Sequence, residues 1–137
     1  MRALLIAIAA LSSPALLAND RLIDVPGIIG KSETAVAEML GQPTECTSTK
    51  HGRKCTYEKA ETEIVFIRGK ADWITVEGID KLPFNQGTLG SIGIKAQNPS
   101  FKNDFTMRWE PLQGMRSISL FGSDSNADYF YIKAYTE

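Results

Sequence analysis

Two cysteines, Cys46 and Cys55, are the only ones in the chain, and they bracket a short basic loop in ECTSTKHGRKCTY. Whether they are thiols or a bridge constrains the fold more than any other feature, and the N-terminus bears on it. In MRALLIAIAALSSPALLAND, Arg2 supplies a positive start and Leu4 to Leu11 an apolar run. Ser12, Ser13 and Pro14 break that run, and a cut is expected after Ala18. This is the pattern of a secretory signal peptide. The run is shorter than the ~20 apolar residues of a membrane span, so no stable membrane insertion is expected. No cysteine lies near the cut, so no lipid anchor is expected either. The protein is expected in a periplasm or secreted, where two cysteines flanking a turn-rich segment form a disulfide, Cys46–Cys55. The hairpin register around it stays open.

Residues 19–137 are long enough to bury one core and are expected to form a single domain. The chain has 15 Lys and Arg against 16 Asp and Glu, and Arg2 belongs to the segment to be cut. A slightly acidic product lacks the clustered positive charge that phosphate backbones require, so nucleic acid is not an expected partner. Structural zinc takes four Cys or His ligands. Cys46, His51 and Cys55 make three, with the thiols expected to be oxidised, so neither metal nor cofactor is expected. His51 is the only imidazole, no G-x-S-x-G occurs, and Ser91 in GSIG lacks that spacing. Glu58, Glu61 and Glu63 could pair as glycosidase carboxylates but cluster at an expected hairpin turn, where they would be solvated. Asp124 to Asp128, DSNAD, opens like a calcium loop, yet Tyr129 replaces its glycine and Tyr135 its closing glutamate, so a hairpin turn is expected. No catalytic residue is assigned, and the chain reads as a non-enzyme.

The pattern predicts an α+β fold. Residues 19–30 read as an extended lead-in. A two-turn helix follows, with Ser32 as N-cap, Glu33 at its positive end, Val36, Met39 and Leu40 on one face, and Gly41 and Pro43 as the stop. A helix this short must lie on something. KCTYEK, TEIVFIRG and ADWITVEG alternate as consecutive antiparallel strands, turning near Lys59–Glu61 and Gly69–Lys70. A weak helical turn with Asn85 as cap and Gly93 as stop precedes DFTMRWEP, GMRSISLFG and ADYFYIKAYT. A meander of five or six strands with one or two short helices on one face results, compatible with a loose helix-plus-three-strand duplication.

The segment IIGKSETAVAEMLGQPTEC, with Gly30, Ser32, Val36, Leu40, Gly41 and Pro43, resembles the opening of SmpA/OmlA (BamE)-like outer-membrane assembly lipoproteins and of the β-lactamase-inhibitory-protein-like fold. That resemblance implies a short amphipathic helix before an antiparallel meander. It also implies a non-enzymatic role, in which a sheet face or loops are presented to another protein.

The residues themselves suggest where. Lys50, His51, Arg53 and Lys54 sit in a loop that a disulfide would stiffen. Tyr129, Tyr131 and Tyr135 share one face of the last strand by alternation, with Phe130, Ile132 and Ala134 on the core face. Beside Arg108 or Arg116, such a tyrosine face has the composition of a partner surface, and the alternative is an ordinary half-exposed sheet. The expected function is a non-catalytic protein-binding module acting on another envelope or exported protein. The alternatives are an inhibitor or immunity protein against an exported enzyme or toxin, and a small cell-wall-active hydrolase.

Overall fold

A computed structural model describes residues 20–137; the expected signal peptide lies outside the described residues. The lead-in is not wholly extended. Asp24 caps a single turn, α1 (Val25–Ile28), its carboxylate accepting from the Gly27 N–H at 3.2 Å, and Pro26 falls near the start where its missing N–H costs nothing. In α2 (Glu33–Leu40) the Ser32 hydroxyl accepts from the Ala35 N–H at 3.2 Å, and Gly41 ends the helix at φ 90°. Val36 is buried while Met39 is 37% exposed, so the apolar stripe is narrower than its spacing implies.

The strands are β1 (Glu45–Ser48), β2 (Arg53–Tyr57), β3 (Thr62–Ile67), β4 (Lys70–Val76), β5 (Phe101–Lys102), β6 (Thr106–Trp109), β7 (Ser117–Ser123) and β8 (Asn126–Lys133). They form one eight-stranded sheet in the order β1-β2-β3-β4-β8-β7-β6-β5, every pair antiparallel. This corrects the expected five or six strands. The two additional ones, β1 and β5, are the sheet's outer strands, and almost all their residues are exposed. Neither carries the apolar alternation by which a strand is read from sequence.

Two four-stranded meanders meet where β4 pairs β8, with Ile74 opposite Ile132 and Val76 opposite Phe130. Buried residues alternate with half-buried ones along β2, β3, β4, β6 and β8. Ile64, Phe66, Ile74, Phe130 and Ile132 from the buried side join Val25, Ile28 and Val36 of the helices and Leu89 and Ile92 in one core. The second helical stretch is a 3-10 turn, Gln86–Ile92, capped by Asn85 and stopped at Gly93, φ 85°. Its Ser91 carbonyl accepts from the N–H groups of Leu22 and Ile23, which ties the start of the described chain down.

Cys46 and Cys55 are bonded and stand directly opposite each other in the β1–β2 ladder, Cα to Cα 4.1 Å. That register was the open one. Gly52 in the connecting loop is required, because a Cβ there would stand 2.1 Å from the Phe66 carbonyl oxygen.

A bulge in β4 does the most for the C-terminus. Val65 pairs Trp73 and Phe66 pairs Ala71, so Asp72 is the extra residue. Its carboxylate is buried and accepts from the N–H groups of Tyr135 and Thr136 and from the Thr136 hydroxyl, while its carbonyl accepts from the Ala134 N–H. The Trp73 indole N–H donates to the Thr136 carbonyl at 3.0 Å.

Hydrogen bonds to a charged acceptor contribute about 1.5–3 kcal/mol each. Asp72→Asn is therefore expected to cost about 2–3 kcal/mol in urea unfolding, with faster amide exchange at Tyr135 and Thr136. Exchange unchanged at both would show that the tail is held by something else. Replacing both cysteines by serine should lower stability by about 2–3 kcal/mol through loop-closure entropy. The sheet should survive, which far-UV circular dichroism checks.

Candidate functional site: the open sheet face and the stapled loop

The side of the sheet away from the core carries two rows that register defines. One runs Lys54, Val65, Trp73, Lys133, Ser117 across five strands. The other runs Glu45, Thr56, Glu63, Thr75, Tyr131, Ser119, Arg108, Phe101 across all eight strands. Most of these residues are half-buried, because large side chains on neighbouring strands cover one another. The Phe121 and Tyr129 rings stack with centroids 4.8 Å apart. Lys133 Nζ lies 5.8 Å from the Tyr131 ring centroid, and the Arg108 guanidinium carbon lies 5.5 Å from that of Phe101. Both distances suit cation–π attraction. Arg108 Nε also donates to the Ser119 hydroxyl at 3.2 Å.

The loop joins this face through one contact. Thr49 organises the turn: its hydroxyl donates to the Gly52 carbonyl and accepts from the His51 and Gly52 N–H groups. His51 then lies against Trp73, ring centroids 4.8 Å apart and tilted 58°. Trp73 is thus held by His51 on one side and by the C-terminal tail through its indole N–H. A large aromatic with few remaining rotamers loses little entropy when a partner covers it.

The sequence-derived residues divide. His51, Lys54, Tyr129 and Tyr131 meet on or beside the open face, with the exposed Lys50 next to His51 in the loop. Arg53 does not join them. It alternates with Lys54 and faces α2, where its Nε and a Glu33 carboxylate oxygen are 3.0 Å apart. Tyr135 lies beyond the end of β8, in the tail that Asp72 fixes, and its hydroxyl approaches Gly30. Alternation cannot be carried past the end of a strand, and β8 stops at Lys133.

Trp73 and Phe121 were not singled out from the sequence, whereas Arg108 was, as a neighbour of the tyrosine face. Trp73 had a readable signal: it alternates with the buried Ile74 and so puts an indole on the polar side of a strand. Phe121 had none, since only pairing across β7 and β8 places it, and the pairing of Arg108 with Ser119 and of Ser119 with Tyr131 puts that arginine in the tyrosine row.

The remaining candidates take structural places. Glu58, Glu61 and Glu63 rim a hollow of about 240 Å³ with Glu77. Asp124 and Ser125 form the turn joining β7 to β8, as expected. Ser91 is buried and its hydroxyl donates to the Thr88 carbonyl. Glu33, Cys46 and Cys55 have the spacing of a metal group, but the two sulfurs are bonded to each other and offer no thiolate. No helix among the described residues is long and apolar enough to cross a membrane.

Two tyrosines have perturbed hydroxyls. Burial, and next the Asp72 charge, push Tyr131 up from its ordinary value. Burial, and next the Glu33 charge, push Tyr57 up to about 12, with Arg53 opposing.

The family models, the curated proteins and the solved structures compared with this chain include no match. The fold and site define a class only: a disulfide-bonded α+β protein in which, among the described residues, the helices cover one face of an antiparallel sheet.

A raised tyrosine pKa stabilises the neutral form in the folded state, so its contribution is complete below the unfolded value of about 10. Stability should fall as pH rises from about 10 towards 12, because the unfolded chain releases the Tyr57 proton first. Absorbance titration should show a late-ionising tyrosine that Tyr57→Phe removes. Loss of no late component in that variant would contradict the assignment.

Proposed function

We propose that the protein is a non-catalytic binding module of the periplasm or the secreted fraction, and that it grips another envelope or exported protein through the open sheet face. The observation that carries this reading is the joining of the stapled loop to the sheet by the His51–Trp73 contact, which makes one continuous surface from Lys50 to Tyr131. Its composition supports the reading: tryptophan, tyrosine and arginine dominate the energetics of protein interfaces. So does its rigidity, since both ends of Trp73 are held and the loop is covalently closed. The strand order, two four-stranded meanders joined at their last strands, also fits a duplicated unit that gains a broad face by doubling.

An inhibitor or immunity protein is the narrower form of the same idea. It is favoured by a stiff loop standing beside a stiff face, an arrangement able to cap the cleft of an exported enzyme.

The test is crosslinking and capture from envelope extract with protein lacking residues 1–18 and tagged at the N-terminus, since the C-terminal tail supports Trp73. Tyr131→Ala and Lys133→Glu should each weaken the captured complex by about tenfold or more, as truncation of a central interface residue does. Lys31→Ala, between α1 and α2 on the covered side, should leave it unchanged. Equal binding by all three variants would remove the open face from the interface. A one-to-one complex that stops the turnover of an exported enzyme would select the inhibitor form.

A further inference from the structure

Strand register gathers cations at one end of the sheet. The β1–β2 loop, the β3–β4 turn and the end of β8 lie together there, because Arg53 pairs Phe66, Ile67 pairs Lys70 and Trp73 pairs Lys133. Lys50, Lys54, Arg68, Lys70 and Lys133 stand on those elements, and among the described residues none of them is in an ion pair. Carboxylates on neighbouring segments are already engaged: Glu33 by Arg53, Glu137 by Arg116, and the buried Asp72 by the tail. Glu58, Glu61, Glu63 and Glu77 gather around the hollow at the opposite end of β3. A cavity of about 340 Å³ opens at the basic end, with Ile67, Arg68, Lys70, Asp72, Tyr135 and Thr136 among its walls. Gly30 makes room for the tyrosine, since a Cβ there would stand 2.7 Å from the Tyr135 hydroxyl oxygen. Thr136 joins the cavity to the open face, because its carbonyl accepts from the Trp73 indole N–H. Arg68 at φ 54° and Gly69 at φ 77° form a two-residue hairpin turn whose first position favours asparagine, aspartate or glycine. An arginine held in that strained conformation, at the wall of a cavity and without an ion-pair partner, calls for a functional reason.

We propose that this end of the sheet docks an acidic segment of the partner protein, with one carboxylate seated in the cavity by Arg68 and Lys70 and an apolar residue covering Trp73. This assignment rests on the reading of the open face as a protein-binding surface. Arg68 and Lys70 are exposed and Tyr135 is 48% exposed, so a group entering the cavity can reach all three. Two cations against one buried, fully bonded carboxylate leave a single positive charge in excess, which suits a monoanion better than a phosphate surface. An arginine fork takes both oxygens of a carboxylate, and a tyrosine hydroxyl can donate to one of them. Lys54 lies two strands beyond Trp73 in the same row, about 10 Å away at the usual strand spacing. In an extended segment a second carboxylate, two residues past the apolar one, comes about 7 Å along, and the lysine stem spans the rest. The walls are formed before the segment arrives, because Asp72 fixes the tail and the hairpin turn fixes Arg68.

The test titrates protein lacking residues 1–18 with acetyl-Glu-Gly-Leu-Gly-Glu-amide and with its neutral counterpart acetyl-Gln-Gly-Leu-Gly-Gln-amide. Single-stranded oligothymidylate and phosphatidylglycerol vesicles serve as the other anions. The amide resonances of residues 67–70 and 135–136 and the Trp73 indole N–H are followed. Saturable shifts are expected with the Glu peptide, weakening with added salt, and about tenfold weaker binding of the Gln peptide. Arg68→Asn should weaken binding about two- to fivefold while holding or raising the melting temperature, because asparagine suits the turn. An arginine with a merely structural role would show the reverse. Lys70→Gln should weaken binding to a similar degree. No saturable shift with the Glu peptide, equal affinity for the Gln peptide, tighter binding of oligothymidylate or vesicles, or full affinity in Arg68→Asn would overturn the proposal. In capture from envelope extract, a partner kept by Lys70→Glu but lost by Tyr131→Ala would overturn this proposal alone. Undiminished capture by Tyr131→Ala would overturn the open-face reading instead.

Discussion

The pairing of β4 with β8 is the constraint on which everything else depends. Each meander by itself would be a four-stranded sheet with an exposed last strand. Joining the two at Ile74–Ile132 and Val76–Phe130 turns both last strands into the middle of one sheet and the centre of one core. The seam is locked beyond its own ladder by Asp72, whose buried carboxylate takes its donors, among the described residues, from the chain that follows β8. A charge placed there without those donors would be costly, so bulge and tail require each other.

The open face is a consequence of that same seam. Period-two alternation sends Ile74, Phe130 and Ile132 to the helices and Trp73, Tyr131 and Lys133 to the other side. Among the described residues the helical layer covers one side, and the side chains of the other side lean on their neighbours in stacked rings and cation–π pairs. At the far end of the covered side, α2 and the stapled hairpin close imperfectly over β2. That gap is a groove with Glu33, Glu38, Arg53 and Tyr57 among its walls. The Cys46–Cys55 bond closes the hairpin whose loop meets Trp73 and whose strands wall the groove.

What could be read from the residues was whatever depends on near neighbours along the chain. Ser32 and Gly41 bound α2, Asn85 and Gly93 bound the 3-10 turn, and six strands stand where alternation put them. The edge strands β1 and β5 escaped notice because exposure on both sides erases the period. The turn α1 escaped because four residues are too few to show one. In the candidate surface, the tyrosines of β8 were legible by parity, but Arg53 and Tyr135 were misplaced. One faces a helix carboxylate, and the other lies past the point where parity applies.

By itself, then, the sequence determined an antiparallel α+β chain with a cysteine pair positioned to bridge and a row of aromatics on one parity of its last strand. Those features follow from local sterics, capping and alternation. Only the tertiary structure decided that eight strands make a single sheet, that β4 and β8 are its centre, and that His51 comes to lie on Trp73. It also decided that Tyr57 ends unpaired beside Glu33 and Arg53. These depend on contacts between residues distant in the chain, whose partners are chosen by packing the whole core at once and leave no mark on any short stretch of sequence.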